Sequence, residues 1–288
     1  MCDNFAVFIL THGRPDKVIT YNTLKKQGYT GPVFLVVDNE DDTIDRYREQ
    51  YKNQVVVFDK LAISKTFDEG DNFNDRRAVI YARNACFEIA KDLGIEYFLE
   101  LDDDYSTFIH KFTASLQYRE KPTRNLDRLF SLMLEYYKSI PALTIAFAQN
   151  GDFIGGKFSS FGQHPQTKRK CMNTFFCSTL RPFSFFGRIN EDVNTYVTSG
   201  NRGSLLLTIN NAAVIQSQTQ STSGGMTDIY LNQGTYIKSF YTVMYAPSCT
   251  KVFSMGATHQ RLHHRVTWAN AVPCIVEEKY RKSSQGHT

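Results

Sequence analysis

Four short apolar runs in the first hundred residues constrain the fold more than any other feature, because each is separated from the next by a polar, helix-patterned segment. Residues 5–11 (F-A-V-F-I-L-T) run into H-G-R-P. Residues 33–37 end at Asp38-Asn39-Glu40, 55–58 form a third run, and 97–101 (Y-F-L-E-L) end at Asp102-Asp103-Asp104. Between them, 17–27, 43–51 and 74–93 read as helices. The last carries Ala78, Ala82, Ala85, Ile89 and Leu93 on one face and stops at Gly94. Such alternation predicts an α/β protein with a largely parallel sheet covered by helices. Ligands of such sheets gather beyond the carboxyl ends of the strands. Three polar clusters fall there: Thr11-His12-Gly13-Arg14, Asp38-Asn39-Glu40 and the aspartate triplet.

Three adjacent carboxylates repel one another and cannot enter a dry core without compensation. A solvated turn, cationic partners or a divalent ion would each meet that need. If the chain stays extended, Asp102 and Asp104 share one face, roughly 7 Å apart. That spacing suits one carboxylate for a hard metal and another for a sugar hydroxyl or the same ion. No G-x-x-x-x-G-K-[ST] loop is present, and no G-x-G-x-x-G follows the first run. A site without a glycine cradle must neutralise phosphates by other means, and a metal held by aspartates does so.

With 288 residues, 42% of them hydrophobic, the chain can bury one large core. Its 33 basic residues against 29 acidic ones permit contact with a polyanion without announcing it. The apolar start is too short for a signal core or a membrane span, and the six cysteines contain no C-x-x-C pair. The expectation is a soluble cytoplasmic protein with reduced thiols and no structural zinc.

Beyond residue 113 the pattern loosens. Residues 126–139 read as a helix, and 144–148 and 204–209 as strands. Residues 151–170 and 216–226 read as polar loops, and the tail from 281 as frayed. The pair Glu191-Asp192 follows the aromatic stretch 183–187 (F-S-F-F-G).

The order of a T-x-G-R-P strand end, a V-V-D strand end, an A-R-N helix (Ala82-Arg83-Asn84) and L-D-D-D-Y resembles a nucleotide-sugar glycosyltransferase of the GT-A fold. The C-terminal motifs narrow the likeness. Met255-Gly256, H-Q-R-L-H-H-R-V-T-W (259–268) and P-C-I-V-E-E-K-Y-R-K (273–282) resemble the phage and kinetoplastid enzymes that glycosylate hydroxymethylated pyrimidines in DNA, relatives of the base J glucosyltransferase. The resemblance implies a GT-A-like mixed, largely parallel sheet flanked by helices, with an irregular acceptor-side half. It implies one domain over 1–282, with a donor half (1–112), an acceptor half (113–282) and a tail at 283–288.

Carried over, Thr11, Gly13 and Arg14 would border the nucleotide, and Asp38 would accept a hydrogen bond from the base. Arg83 would lie near the diphosphate or sugar, and Asp102 would reach the ribose or sugar. Asp104 would bind Mn²⁺ or Mg²⁺, while Asp103 is open between the same site and the other side of the strand. His264, or else His263 or His259, would complete the metal sphere. Asp192, with Glu191 close behind, would be the general base of an inverting displacement. Arg261, Arg265, Lys279, Arg281, Lys282, Lys168, Arg169 and Lys170 are candidate phosphate contacts, with a solvated face as the alternative. A base in duplex DNA would leave its stack to reach the donor.

The resulting expectation is transfer from a UDP-sugar to a hydroxymethyl group in double-stranded DNA, with 5-hydroxymethylcytosine favoured. The same fold acting on a protein or glycan, and a non-catalytic nucleotide- or DNA-binding module, are the alternatives.

Overall fold

The computed structural model describes residues 4–71, 73–113, 117–149, 171–216, 237–255 and 261–273, together with 115, 165, 167 and 168. The loop at 151–164, residues 217–226, His259, Arg169, Lys170, Cys274, Lys279, Arg281 and Lys282 lie outside the described residues.

The apolar runs form β1 (Phe5–Leu10), β2 (Val33–Asp38), β3 (Val55–Phe58) and β4 (Tyr97–Asp102). They pair in parallel in the order β3-β2-β1-β4. Strands covered on both faces need apolar residues at every position. In β1, Ala6, Phe8 and Leu10 join one core, while Phe5, Val7 and Ile9 join the other. The first core is covered by the helix α4 (Ile80–Asp92) through Tyr81, Ala85 and Ile89. The second is covered by α1 (Ile19–Lys26) and α5 (Leu126–Ser139). Two shorter helices, α2 (Ile44–Tyr51) and α3 (Lys60–Ser64), follow β2 and β3.

The sheet continues as β8-β7-β9-β5-β6, with β5 at Tyr105–Phe112, β6 at Tyr118–Pro122, β7 at Ala142–Gln149, β8 at Thr174–Ser178 and β9 at Leu205–Gln216. Only β7 and β9 are parallel in this half; β8 runs against β4 and β7, and β5 against β9 and β6. The expected mixed sheet flanked by helices is present, with its parallel character concentrated in β1 to β4. The helix α6 (Glu191–Asn201) carries the acidic pair, and a hairpin of β10 (Thr250–Met255) and β11 (Arg261–Val266) forms a second small sheet.

The helix expected over 74–93 begins only at Ile80. Asn74 sits at φ +56°, and Asp75 is drawn into bonds with the Arg77 and Arg188 guanidinium groups. Side-chain bonds of this kind compete with helix formation. β5 begins three residues after β4 ends, although three strands lie between them in the sheet. The aspartate triplet therefore does not continue as an extended strand: Asp103 and Asp104 form a turn.

Thr20 braces that turn from α1. Its hydroxyl donates to the Asp102 carbonyl at 2.6 Å and accepts the Tyr105 N–H at 2.9 Å, and its own N–H donates to the Asp103 carbonyl at 3.0 Å. Thr20→Val keeps the shape and removes the hydroxyl, leaving a buried donor and acceptor without it. We expect a loss of about 1–3 kcal/mol, read as a lower denaturant midpoint with an unchanged slope.

Candidate active site

Polar residues at the carboxyl ends of β1, β2 and β4 contact one another. At the end of β1, Gly13 has φ +69°, a conformation that suits glycine, and its N–H donates to Asp41 Oδ2 at 2.6 Å. The Thr11 hydroxyl donates to Asp103 Oδ2 at 2.7 Å. It therefore accepts from the Tyr47 hydroxyl, 2.8 Å away, having only one proton to give. Arg14 pairs with Asp103 Oδ1 at 2.9 Å. Asp103 is thus buried and committed to the β1 loop, which settles its open orientation. At the end of β2, Asp38 accepts from His12 Nδ1 at 2.7 Å and from Lys60 Nζ at 3.2 Å. Burial pushes the Asp38 carboxyl up, but His12 and Lys60 outweigh it and hold it below the usual carboxylate range. The Asp38 hydrogen bond raises His12 in turn, against the opposing effect of burial.

The centre of the site is Arg83, projecting from α4 and 1% exposed. It donates to Asp102 Oδ1 at 2.9 Å and to Glu191 Oε1 at 3.3 Å, and its NH1 lies 3.6 Å from Glu100 Oε2. That last distance is an ion pair and too long for a hydrogen bond. The guanidinium also lies 5.0 Å from the centre of the Phe175 ring. Burial opposes the charge on Arg83, yet Asp102, Glu191 and Glu100 together more than compensate and lock it on. The carboxylates bear the cost. Burial pushes Glu100 up to about 8 and Asp102 up to about 6, the latter with help from Asp104. Burial, then Asp192, also raises Glu191.

Asp104 accepts from Gln216 Nε2 at 3.3 Å, and Gln216 Oε1 accepts from Asn173 at 3.0 Å. Burial raises the Asp104 carboxyl. Asp192 is buried in the first turn of α6, where one oxygen accepts its neighbour Val193's N–H at 2.8 Å. On β11, His264 Nδ1 lies 3.3 Å from Asn190 Nδ2, immediately before Glu191, and His263 Nδ1 donates to the His264 carbonyl at 2.6 Å. Among the described residues no three His, Cys, Asp or Glu side chains come together as a preformed metal site. Asp104 and Asp102 are hard oxygen donors of the kind that could hold a divalent cation. Of the basic residues expected to touch phosphate, Arg265 lies on β11 against the Phe253 ring, at 5.9 Å from its centre. Phe185 is core, packed on Phe175 and Phe183.

The family model of TET-Associated Glycosyltransferase matches residues 5–225, spanning β1 to β9 and α6. The chain belongs to this family. No curated protein matched this glycosyltransferase by sequence. Among solved structures, it is similar to S. aureus TarS 1-349 in complex with UDP, at 12% identity and TM-score 0.48, covering 85% of this chain and 66% of that one. Thus the chain spans just under two thirds of that TarS fragment. It is also similar to glucosyl-3-phosphoglycerate synthase from Mycobacterium tuberculosis in complex with Mn²⁺, UDP and phosphoglyceric acid, at 8% identity and TM-score 0.48, covering 91% and 87%. A mycobacterial protein aligns at 8% identity and TM-score 0.49, covering 91% and 84%. No helix among the described residues is long and apolar enough to cross a membrane.

The sequence motifs place His12 in a strand-end cluster without a role and give none to Lys60, Glu100 or Gln216. Glu100 had a visible signal, a lone carboxylate inside an apolar strand. The other three depend on pairings between distant segments.

Glu100 sets a stability test. Its folded pKa lies above the ordinary 4.5, so the folded state binds the extra proton between about pH 4.5 and about pH 8. That contribution is full below the window and is lost as pH rises through it. Glu100→Gln, neutral throughout, should remove this slope. Its advantage in denaturant midpoint over wild type should therefore grow from about pH 5 to about pH 8.

Proposed function

We propose that the chain transfers a sugar from a UDP-sugar to the hydroxymethyl group of a modified pyrimidine in double-stranded DNA, with 5-hydroxymethylcytosine as the favoured acceptor. The observation that carries the reading is Arg83, which joins Asp102 at the donor strand end to Glu191 on the helix of the second half, within a chain of the TET-Associated Glycosyltransferase family. That family's name points to a modified-base acceptor, and the C-terminal motifs resemble enzymes with such acceptors.

In this reading the β1 loop, with Thr11, Gly13 and Arg14, and the β2 end at Asp38 receive the nucleotide. Asp102 and Arg83 hold the sugar end, with Asp103 bracing the loop. Asp104 is the ligand for Mn²⁺ or Mg²⁺, with His264 or His263 as further candidates. When bound, the ion supplies positive charge beside the departing diphosphate. The acceptor hydroxyl loses its proton to a carboxylate of the 191–192 pair as its oxygen forms a bond to C1 of the sugar. The bond from C1 to the diphosphate oxygen breaks, and UDP leaves with the electron pair. Asp192 is the expected base and Glu191 the alternative, the latter sharing Arg83 with Asp102. An attack from the opposite face inverts the anomeric centre.

Mass measurement of hydroxymethylated duplex DNA incubated with a panel of UDP-sugars tests the reading. One sugar mass should be added per modified base, with none on unmodified DNA. Asp104→Asn should lower the rate by roughly a hundredfold or more. Chelator should abolish transfer, and Mn²⁺ or Mg²⁺ should restore it. Equal transfer onto unmodified DNA or a glycan would refute the acceptor assignment, and full activity in chelator would refute the metal role of Asp104.

A further inference from the structure

Asp38 lies behind its partners. Its side chain is 6% exposed; Oδ1 accepts from Lys60 Nζ at 3.2 Å and from the Glu40 N–H at 3.1 Å, and Oδ2 accepts from His12 Nδ1 at 2.7 Å. A ligand reaching for Asp38 must compete with these buried contacts. His12 stands in front of it, with its side chain 49% exposed. The bond at Nδ1 fixes the ring and leaves Nε2 to meet a ligand, since no hydrogen bond among the described residues uses it. His12 occupies the end of β1, one residue from the Thr11 and Gly13 contacts that shape the nucleotide end.

We propose that His12, rather than Asp38, reads the donor's nucleobase: its Nε2–H donates to a pyrimidine carbonyl oxygen, while Asp38 orients the ring from behind. This rests on the nucleotide-sugar reading above. The charged groups facing His12 are Asp38 and Asp41 beyond β2, the latter at 3.6 Å, and Lys60 at the start of α3. Glu40 beside them is neutralised by Arg76 at 2.6 Å. The two aspartates favour imidazolium, while Lys60 and burial oppose it, and the balance is a raised pKa.

Chemistry then dictates base preference. Imidazolium presents an Nε2–H, which suits the O4 acceptor of uracil and opposes the N4 amino donor of cytosine. Neutral His12 keeps its proton on Nδ1 toward Asp38 and presents a lone pair at Nε2, which repels O4 and accepts from N4. Rising pH should therefore weaken UDP binding and strengthen CDP binding. His12 would make the donor site a uracil reader only while it is charged.

Calorimetric titration of the full chain with UDP and with CDP, at fixed Mg²⁺ and from about pH 5.5 to about pH 8.5, tests this for wild type, His12→Ala and His12→Gln. The ratio of the two affinities cancels the titration of the phosphates, which both ligands share. In wild type the preference for UDP over CDP should fall about tenfold across the range, the scale of one charge-assisted hydrogen bond. His12→Ala should lose about tenfold in UDP affinity at low pH. Both variants should show a ratio independent of pH. His12→Gln can still donate to Asp38 but cannot titrate, so it carries the comparison should the alanine variant fail to fold. Variants whose ratio tracks wild type at every pH would overturn the role of His12 and leave the donor reading standing. Absence of UDP binding to wild type at every pH would instead overturn the donor reading itself.

Discussion

One buried guanidinium organises this protein. Arg83 is buried among Asp102, Glu191 and Glu100, so a single positive charge answers three carboxyl groups. Taking such a set out of solvent is expensive, and mutual attraction repays the expense only when geometry is good and the charge count is kept in hand. The raised pKa of Glu100 shows how the count is kept: a proton on the deepest carboxyl leaves Arg83 to the two carboxylates nearer the surface. Arg83 comes from α4, Asp102 from β4 and Glu191 from α6. The cluster therefore ties the parallel strands of the first half to the helix α6 of the second.

A second set of contacts organises the rim without Arg83. Asp103 turns inward to hold Thr11 and Arg14, Asp41 holds Gly13, and Tyr47 supports Thr11 and the Arg14 backbone. Each member of the aspartate triplet thus has a separate duty. Asp102 answers Arg83, Asp103 tightens the β1 loop, and Asp104 joins Gln216 at the end of β9. Adjacent carboxylates that would repel one another in an extended strand are separated by the turn and given different partners.

Much of the first hundred residues was legible in the sequence, because fully covered strands leave a continuous apolar signature and three of the four end in a visible polar cluster. The helix at Leu126–Ser139 was equally legible from its period, and its cap at Asn125 agrees with it. The strands read at 144–148 and 204–209 fall on β7 and β9, but β6 and β8 left no readable pattern. β6 is exposed at every position and sits at the sheet edge, so no burial pattern marks it. β8 is only five residues long, and its neighbours β4 and β7 are remote in sequence. Site residues divided the same way. Arg83 and the triplet stood out as motifs. His12, Lys60 and Gln216 acquire meaning only from contacts that span tens of residues and that no local pattern encodes.

The short link between β4 and β5 has a geometric consequence. Three strands separate them in the sheet, so in a flat sheet they would stand about 19 Å apart, four spacings of about 4.8 Å. The three peptide steps from Asp102 to Tyr105 can span only about 10–11 Å. The sheet must therefore curl on itself at this rim, with the aspartate turn as the short chord that draws its two sides together.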